Sequence, residues 1–135
     1  MTTPEWVFSR AIHLMDEQNE TNGQTTTADT QEYKTRTISI LNILCGELYP
    51  YSDTFPEGEG GKRPVCPELF DFDDEISLDD VLCRSILPYG LAAHLLLGEN
   101  DSMASFFSDR YEELLATLAK QKPSVWEELT PYYGI

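Results

Sequence analysis

Apolar residues recur at helical spacing in four stretches of this chain, separated by polar or proline-rich segments. In the first, residues 3–17, Trp6, Val7, Ala11, Leu14 and Met15 repeat on one face, while Glu5, Ser9, Arg10 and Asp16 fall elsewhere. Thr3 and Pro4 mark its start. A hydroxyl cap is followed by a proline at the first helical position, where the missing N–H costs nothing. The next segment, EQNETNGQTTTADT, holds no large apolar residue and predicts a mobile loop over about residues 18–29. Asp29 and Glu32 then stand at the spacing of a capping box. From residue 30 to about 49, Tyr33, Thr37, Ile40, Leu41, Leu44 and Leu48 form one helical face, flanked by Ile38 and Cys45, with Lys34 and Arg36 outside it.

Residues 50–76 break the pattern. Four of the eight prolines lie here, together with the run EGEGGKRP, so helix is excluded and a long loop is predicted. Val65 to Phe72 has room for a short hairpin strand, which Pro67 would confine to an edge. Ser77 and Asp80 supply a second capping box, in SLDD before an apolar run. Val81, Leu82, Ile86, Leu87, Leu91, Ala92, Leu95 and Leu96 are apolar around much of a helix, which predicts the central buried element. Pro88 requires a kink or two abutting helices. Gly90, Ala92 and Ala93 would let another helix approach closely, and Gly98 ends the run. Asp101 or Ser102 then caps a last long helix to about Ala119, with Met103, Phe106, Phe107, Tyr111, Leu114, Leu115 and Leu118 on its apolar face. Pro123 stops it, Ser124 and Glu127 are placed to cap a short turn, and the tail ends TPYYGI. The fold class is therefore all-α: a small bundle of about four main helices with one long irregular loop. At 135 residues a single domain is expected, with loops at about 18–29 and 50–76 and a tail at about 120–135.

Charge narrows the function. Nine Lys and Arg stand against 24 Asp and Glu, a net charge of −15. Such a chain repels phosphate backbones and anionic membranes, so sequence-specific nucleic-acid binding and membrane association are not expected. Cys45, Cys66 and Cys83 are odd in number and lack CxxC spacing, which predicts reduced, packing cysteines in a cytoplasmic setting. The start MTTPEW lacks the basic and apolar regions of a signal peptide.

No motif carries a reaction. In DFDDE, counting from Asp71, the sixth residue is Ile76 and the twelfth Leu82, where a calcium loop needs Gly and Glu. An acidic turn before a helix N-terminus explains the run without a cation. His13 and His94 have no zinc-type spacing and no nucleophile motif beside them. EGEGGKR lacks the GxxxxGK[ST] pattern of a phosphate loop. The expectation is no catalytic residue, no cofactor and no metal. Lys62 and Arg63 stand out instead as basic residues in an acidic neighbourhood, and Trp126, Tyr132 and Tyr133 as an aromatic tail suited either to core cover or to docking.

Two stretches, YKTRTISILNILCGELYPYSD at 33–53 and ISLDDVLCRSILPYGLAAHLLLGENDSMASFFSDRYEELLATL at 76–118, together resemble the small proteins of phage and prophage head–tail gene clusters, of the head–tail connector or adaptor type. The two stretches hold 64 of the 135 residues, and the resemblance lies in helix faces and caps. It implies a non-enzymatic structural protein that assembles as a homo-oligomeric ring on the portal protein, contacts other head–tail proteins, and resides in the bacterial cytoplasm or in the virion. Lys62, Arg63, Trp126, Tyr132 and Tyr133 are the contact residues this implies. An acidic binding module that mimics nucleic acid and inhibits a basic protein is the alternative from another class.

Overall fold

The computed structural model describes residues 1–16, 21, 23–56 and 60–120. They form five helices: α1 (Pro4–Met15), α2 (Gln31–Leu48), α3 (Asp80–Ser85), α4 (Leu87–Leu96) and α5 (Asp101–Ala119). A 3₁₀ turn (Tyr49–Tyr51) extends α2. The all-α expectation holds. No strand occurs among the described residues, so the short hairpin over residues 65–72 does not form. The break at Pro88 resolves as two abutting helices, which share Ile86 as the end of one and the cap of the other. Proline occupies an early position of α4, where its lack of an N–H leaves no bond unmade.

α4 is the centre. It packs against α1, α2, α3 and α5, and Leu87, Leu91 and Ala92 are fully buried. At Gly90 the neighbouring helices leave no room for a side chain. A Cβ there would sit 2.8 Å from Cε1 of Tyr111 and 3.2 Å from Cδ1 of Leu44. Glycine is thus what lets α5 and α2 seat against α4. The Tyr111 hydroxyl then donates to Glu47 at 2.7 Å, fastening α5 to α2. At the other end of α2, Tyr33 donates to Glu99 at 2.6 Å.

α1 sits rotated from its expected face. Thr3 caps it as predicted, accepting from the Trp6 N–H at 3.3 Å. The side chains driven into the core are Val7, Phe8, Ala11, Ile12 and Met15. Trp6 and Leu14 are only half-buried and lie at the rim. α5 is likewise less buried than its pattern: Ala104, Phe107 and Tyr111 are inside, while Phe106 is 60% exposed. Val81 of α3 faces solvent.

Three caps differ from expectation. α3 is capped by Asp79, not Ser77. One Asp79 oxygen accepts from Leu82 N–H at 3.0 Å, and the other from Asp53 N–H at 2.9 Å, joining the end of α2 to the start of α3. α5 is capped by Asn100, whose side chain accepts from Met103 N–H, while Asp101 accepts from Gly98 N–H at 2.8 Å. At α2, Thr30 holds the cap position, but its hydroxyl binds backwards to the Thr25 carbonyl at 2.7 Å, and no Asp29–Glu32 box forms.

The second half of the 50–76 loop is pinned. The Asn42 amide pairs with Leu69 in both directions, donating at 3.0 Å and accepting at 2.7 Å. Phe72 packs edge-on against Phe8, and the Lys34 ammonium lies 4.8 Å from the Phe72 ring centre while pairing with Glu5.

Candidate functional site

In a chain so acidic, the informative groups are cations that no carboxylate neutralises. Lys34, Arg36 and Arg110 each pair with a glutamate. Among the described residues Arg10, Lys62, Arg63 and Arg84 make no ion pair, although Arg84 lies near enough to the Asp80 carboxylate to act on it. They fall at two places.

The first is the 60–65 loop. Lys62 and Arg63 are exposed there, with Val65 86% exposed beside them. Gly60 and Gly61 hold φ of 60° and 76°, left-handed conformations that glycine adopts at no steric cost. The loop thus presents two positive charges and one apolar side chain to solvent. Trp126, Tyr132 and Tyr133, the remaining residues singled out by sequence, lie outside the described residues, as does the short turn capped by Ser124 and Glu127.

The second is a groove of about 270 Å³ between α1 and the α3–α4 junction. Trp6, Leu14, Pro88 and Tyr89 give it an apolar wall, and Arg10, Arg84 and His13 a basic one. The Arg10 guanidinium lies 4.7 Å, and that of Arg84 5.5 Å, from the Trp6 ring centre. Such stacking orders a guanidinium without neutralising it. Sequence reading passed over this site because it set Arg10 on the polar face and Trp6 in the core. The available signal was Trp6 and Arg10 at i, i+4, a spacing that places two helical side chains together. Arg84 comes from 74 positions further on and had no such signal.

The remaining candidates for chemistry are dispersed. Cys83 is fully buried and its thiol faces the Leu78 carbonyl. His94 is exposed on α4, beside Asp101, Ser105 and Ser108, so the two do not form a Cys–His pair. Burial, reinforced by Asp80 and Asp79, pushes the Cys83 thiol up to about 12. Burial likewise raises Cys45 far above the usual thiol range, with Cys66 and Cys83 adding repulsion. Neither supplies a thiolate near neutral pH. No cluster of three metal-ligating side chains occurs among the described residues, and none of their helices is long and apolar enough to cross a membrane.

The DFDDE run closes on itself. One Asp74 oxygen accepts from the backbone N–H groups of Asp71 and Phe70, each at 2.8 Å. These bonds, that from Asp71 foremost, hold the Asp74 carboxyl below the usual carboxylate range. A carboxyl whose folded value is depressed stabilises the fold at neutral pH. That contribution is lost as pH falls through the folded value. Thermal midpoints of the wild type and Asp74→Ala should therefore differ at neutral pH and converge in acid, once the pH has fallen below the depressed folded value. A gap that persists in acid would mean that the carboxylate is not what holds the turn.

No protein-family model, curated protein or solved structure matches this chain.

Proposed function

We propose that this chain is a phage or prophage head–tail connector, a non-enzymatic structural protein that assembles as a ring at the portal. The observation that carries the reading is the exposed, unpaired Lys62–Arg63 loop on a body of net charge −15. An exposed basic projection on a chain that is acidic in sum is complementary to another copy of itself in a head-to-tail sense. Head-to-tail contacts close into rings when the rotation between copies divides a full turn. Val65 adds an apolar contact to the same projection.

The resemblance supports the same reading. Its two stretches, 33–53 and 76–118, supply α3, α4 and nearly all of α2 and α5, which build the core together with α1. An acidic wall also suits a channel for DNA, since it does not retain phosphates. The portal protein and other head–tail proteins are the partners. Lys62, Arg63, Trp126, Tyr132 and Tyr133 are the contact residues, and no cofactor takes part.

The test is charge reversal at the loop. Lys62→Glu with Arg63→Glu should leave the helical circular dichroism unchanged and weaken assembly about tenfold or more, because it replaces attraction by like-charge repulsion. Tyr132→Ser with Tyr133→Ser should weaken assembly through lost apolar contact. Unchanged assembly in either pair would remove that segment from the interface.

A further inference from the structure

We propose that the groove between α1 and the α3–α4 junction receives the Phe70 turn of a second copy of this chain. The proposal rests on the connector reading only in taking another copy as the partner. Trp6, Leu14, Pro88 and Tyr89 line the groove, and the Arg10 guanidinium lies 4.7 Å from the Trp6 ring centre with no ion pair among the described residues. At about 270 Å³ the groove falls below the roughly 300–1,000 Å³ of clefts that hold whole small-molecule ligands, and it suits one large side chain. Its complement is a single exposed aromatic ring with carboxylates beside it. Arginine serves both parts of that pairing, since it binds a carboxylate through its edge while its face stays on the indole.

The chain carries such an element. Phe70 is 71% exposed and stacks on no other ring among the described residues. The exposed carboxylates of Glu68, Asp71 and Asp73 flank it, and no Lys or Arg occurs between Arg63 and Arg84. Its turn is fixed on both sides. Leu69 is bonded in both directions to Asn42, and the Phe70 and Asp71 N–H groups each donate to Asp74 at 2.8 Å. The ring is thus presented in a set place, and binding orders little that is not already ordered. Phe106, 60% exposed, packs instead on Phe107, and Arg110 follows one turn later on α5, so it fits a basic groove less well. Within one chain, turn and groove do not meet. The turn is fastened to α2, the groove lies between α1 and the α3–α4 junction, and Phe70 is not among its lining residues. A contact between two different surfaces is head-to-tail, which builds rings or filaments and not two-fold dimers.

The test is photo-cross-linking between two isotopic forms of the full chain, mixed at about millimolar concentration, where so small a contact is populated. The light form carries Phe70→p-benzoylphenylalanine, the heavy form is otherwise wild type, and products are mapped by mass spectrometry. Cross-links from the light chain to residues 6–14 or 84–89 of the heavy one are expected. Arg10→Glu in the heavy chain should lower their yield about fivefold or more, and Asp71→Lys with Asp73→Lys in the light chain should restore it. Arg10 is exposed and bonds to no other side chain, so its replacement leaves the fold intact, as an unchanged helical circular dichroism would verify. Products confined to one chain, joined elsewhere on the heavy copy, or indifferent to the charge changes would overturn the proposal, as would no product at all. The connector reading fails separately, on the absence of a ring-sized complex with the portal protein.

Discussion

Gly90→Val lowers the stability of this protein by about 3 kcal/mol. The reason is a contact, not flexibility. A Cβ at Gly90 would stand 2.8 and 2.9 Å from two ring carbons of Tyr111 and 3.2 Å from Leu44. The ring cannot simply swing away, because its hydroxyl is tied to Glu47 at 2.7 Å. Burial, and then that bond to Glu47, push the Tyr111 hydroxyl far above its ordinary range, so it stays a donor at neutral pH. Alanine at position 90 would gain about 1 kcal/mol of helix propensity against a clash of about 1–3 kcal/mol. Valine adds two further carbons and forfeits most of that gain. The denaturation midpoint should fall with an unchanged denaturant slope, and the thermal midpoint should drop by about 10 °C or more. In a Tyr111→Ala background the same replacement should cost clearly less, since the two sites touch. Equal costs in both backgrounds would mean that Tyr111 is not what Gly90 accommodates.

Leu91→Ala should be nearly as damaging, at about 3 kcal/mol. Leu91 is fully buried on the helix that α1, α2, α3 and α5 all pack against. Truncating a leucine in such a position loses its transfer free energy and leaves a cavity that four surrounding elements cannot all close. Phe106→Ala is the control. Phe106 lies on α5 with 60% of its surface exposed, and its loss should cost well under about 1 kcal/mol. Urea titrations of the two variants, compared with the wild type, check the pair. Equal losses would mean that the apolar face of α5 is buried as its sequence pattern suggested and α4 is not the hub.

How far the sequence reached depended on whether the deciding contact was local. The helices were legible because apolar residues at three- and four-residue spacing must share a face. The Thr3 cap and the break at Pro88 were legible because both are set by neighbouring residues. The small residue at Gly90 signalled a close approach, and α5 and α2 meet α4 there. The caps that misled were those with competing partners. Ser77 yields to Asp79, which bonds to Asp53 across the fold as well as to Leu82, and Asp101 turns back to Gly98, leaving Asn100 as the cap. The rotation of α1 was hidden because Trp6, Val7 and Phe8 are all apolar, so periodicity alone could not choose which of them points inward. Phe72, 64 positions after Phe8, makes that choice by packing edge-on against it. The basic groove follows from that rotation, which leaves Trp6 at the rim between Arg10 and Arg84. Lys62 and Arg63, by contrast, were visible in the sequence as an isolated basic pair, and they are exposed in the fold.

The connector reading stands or falls on assembly. The direct measurement is sedimentation velocity of the purified chain, alone and mixed with the portal protein encoded beside it. Co-sedimentation in one complex of ring-sized mass is the predicted result. A chain that remains at monomer mass in both runs would contradict the reading and would turn attention to a basic protein as the target of an acidic binding module.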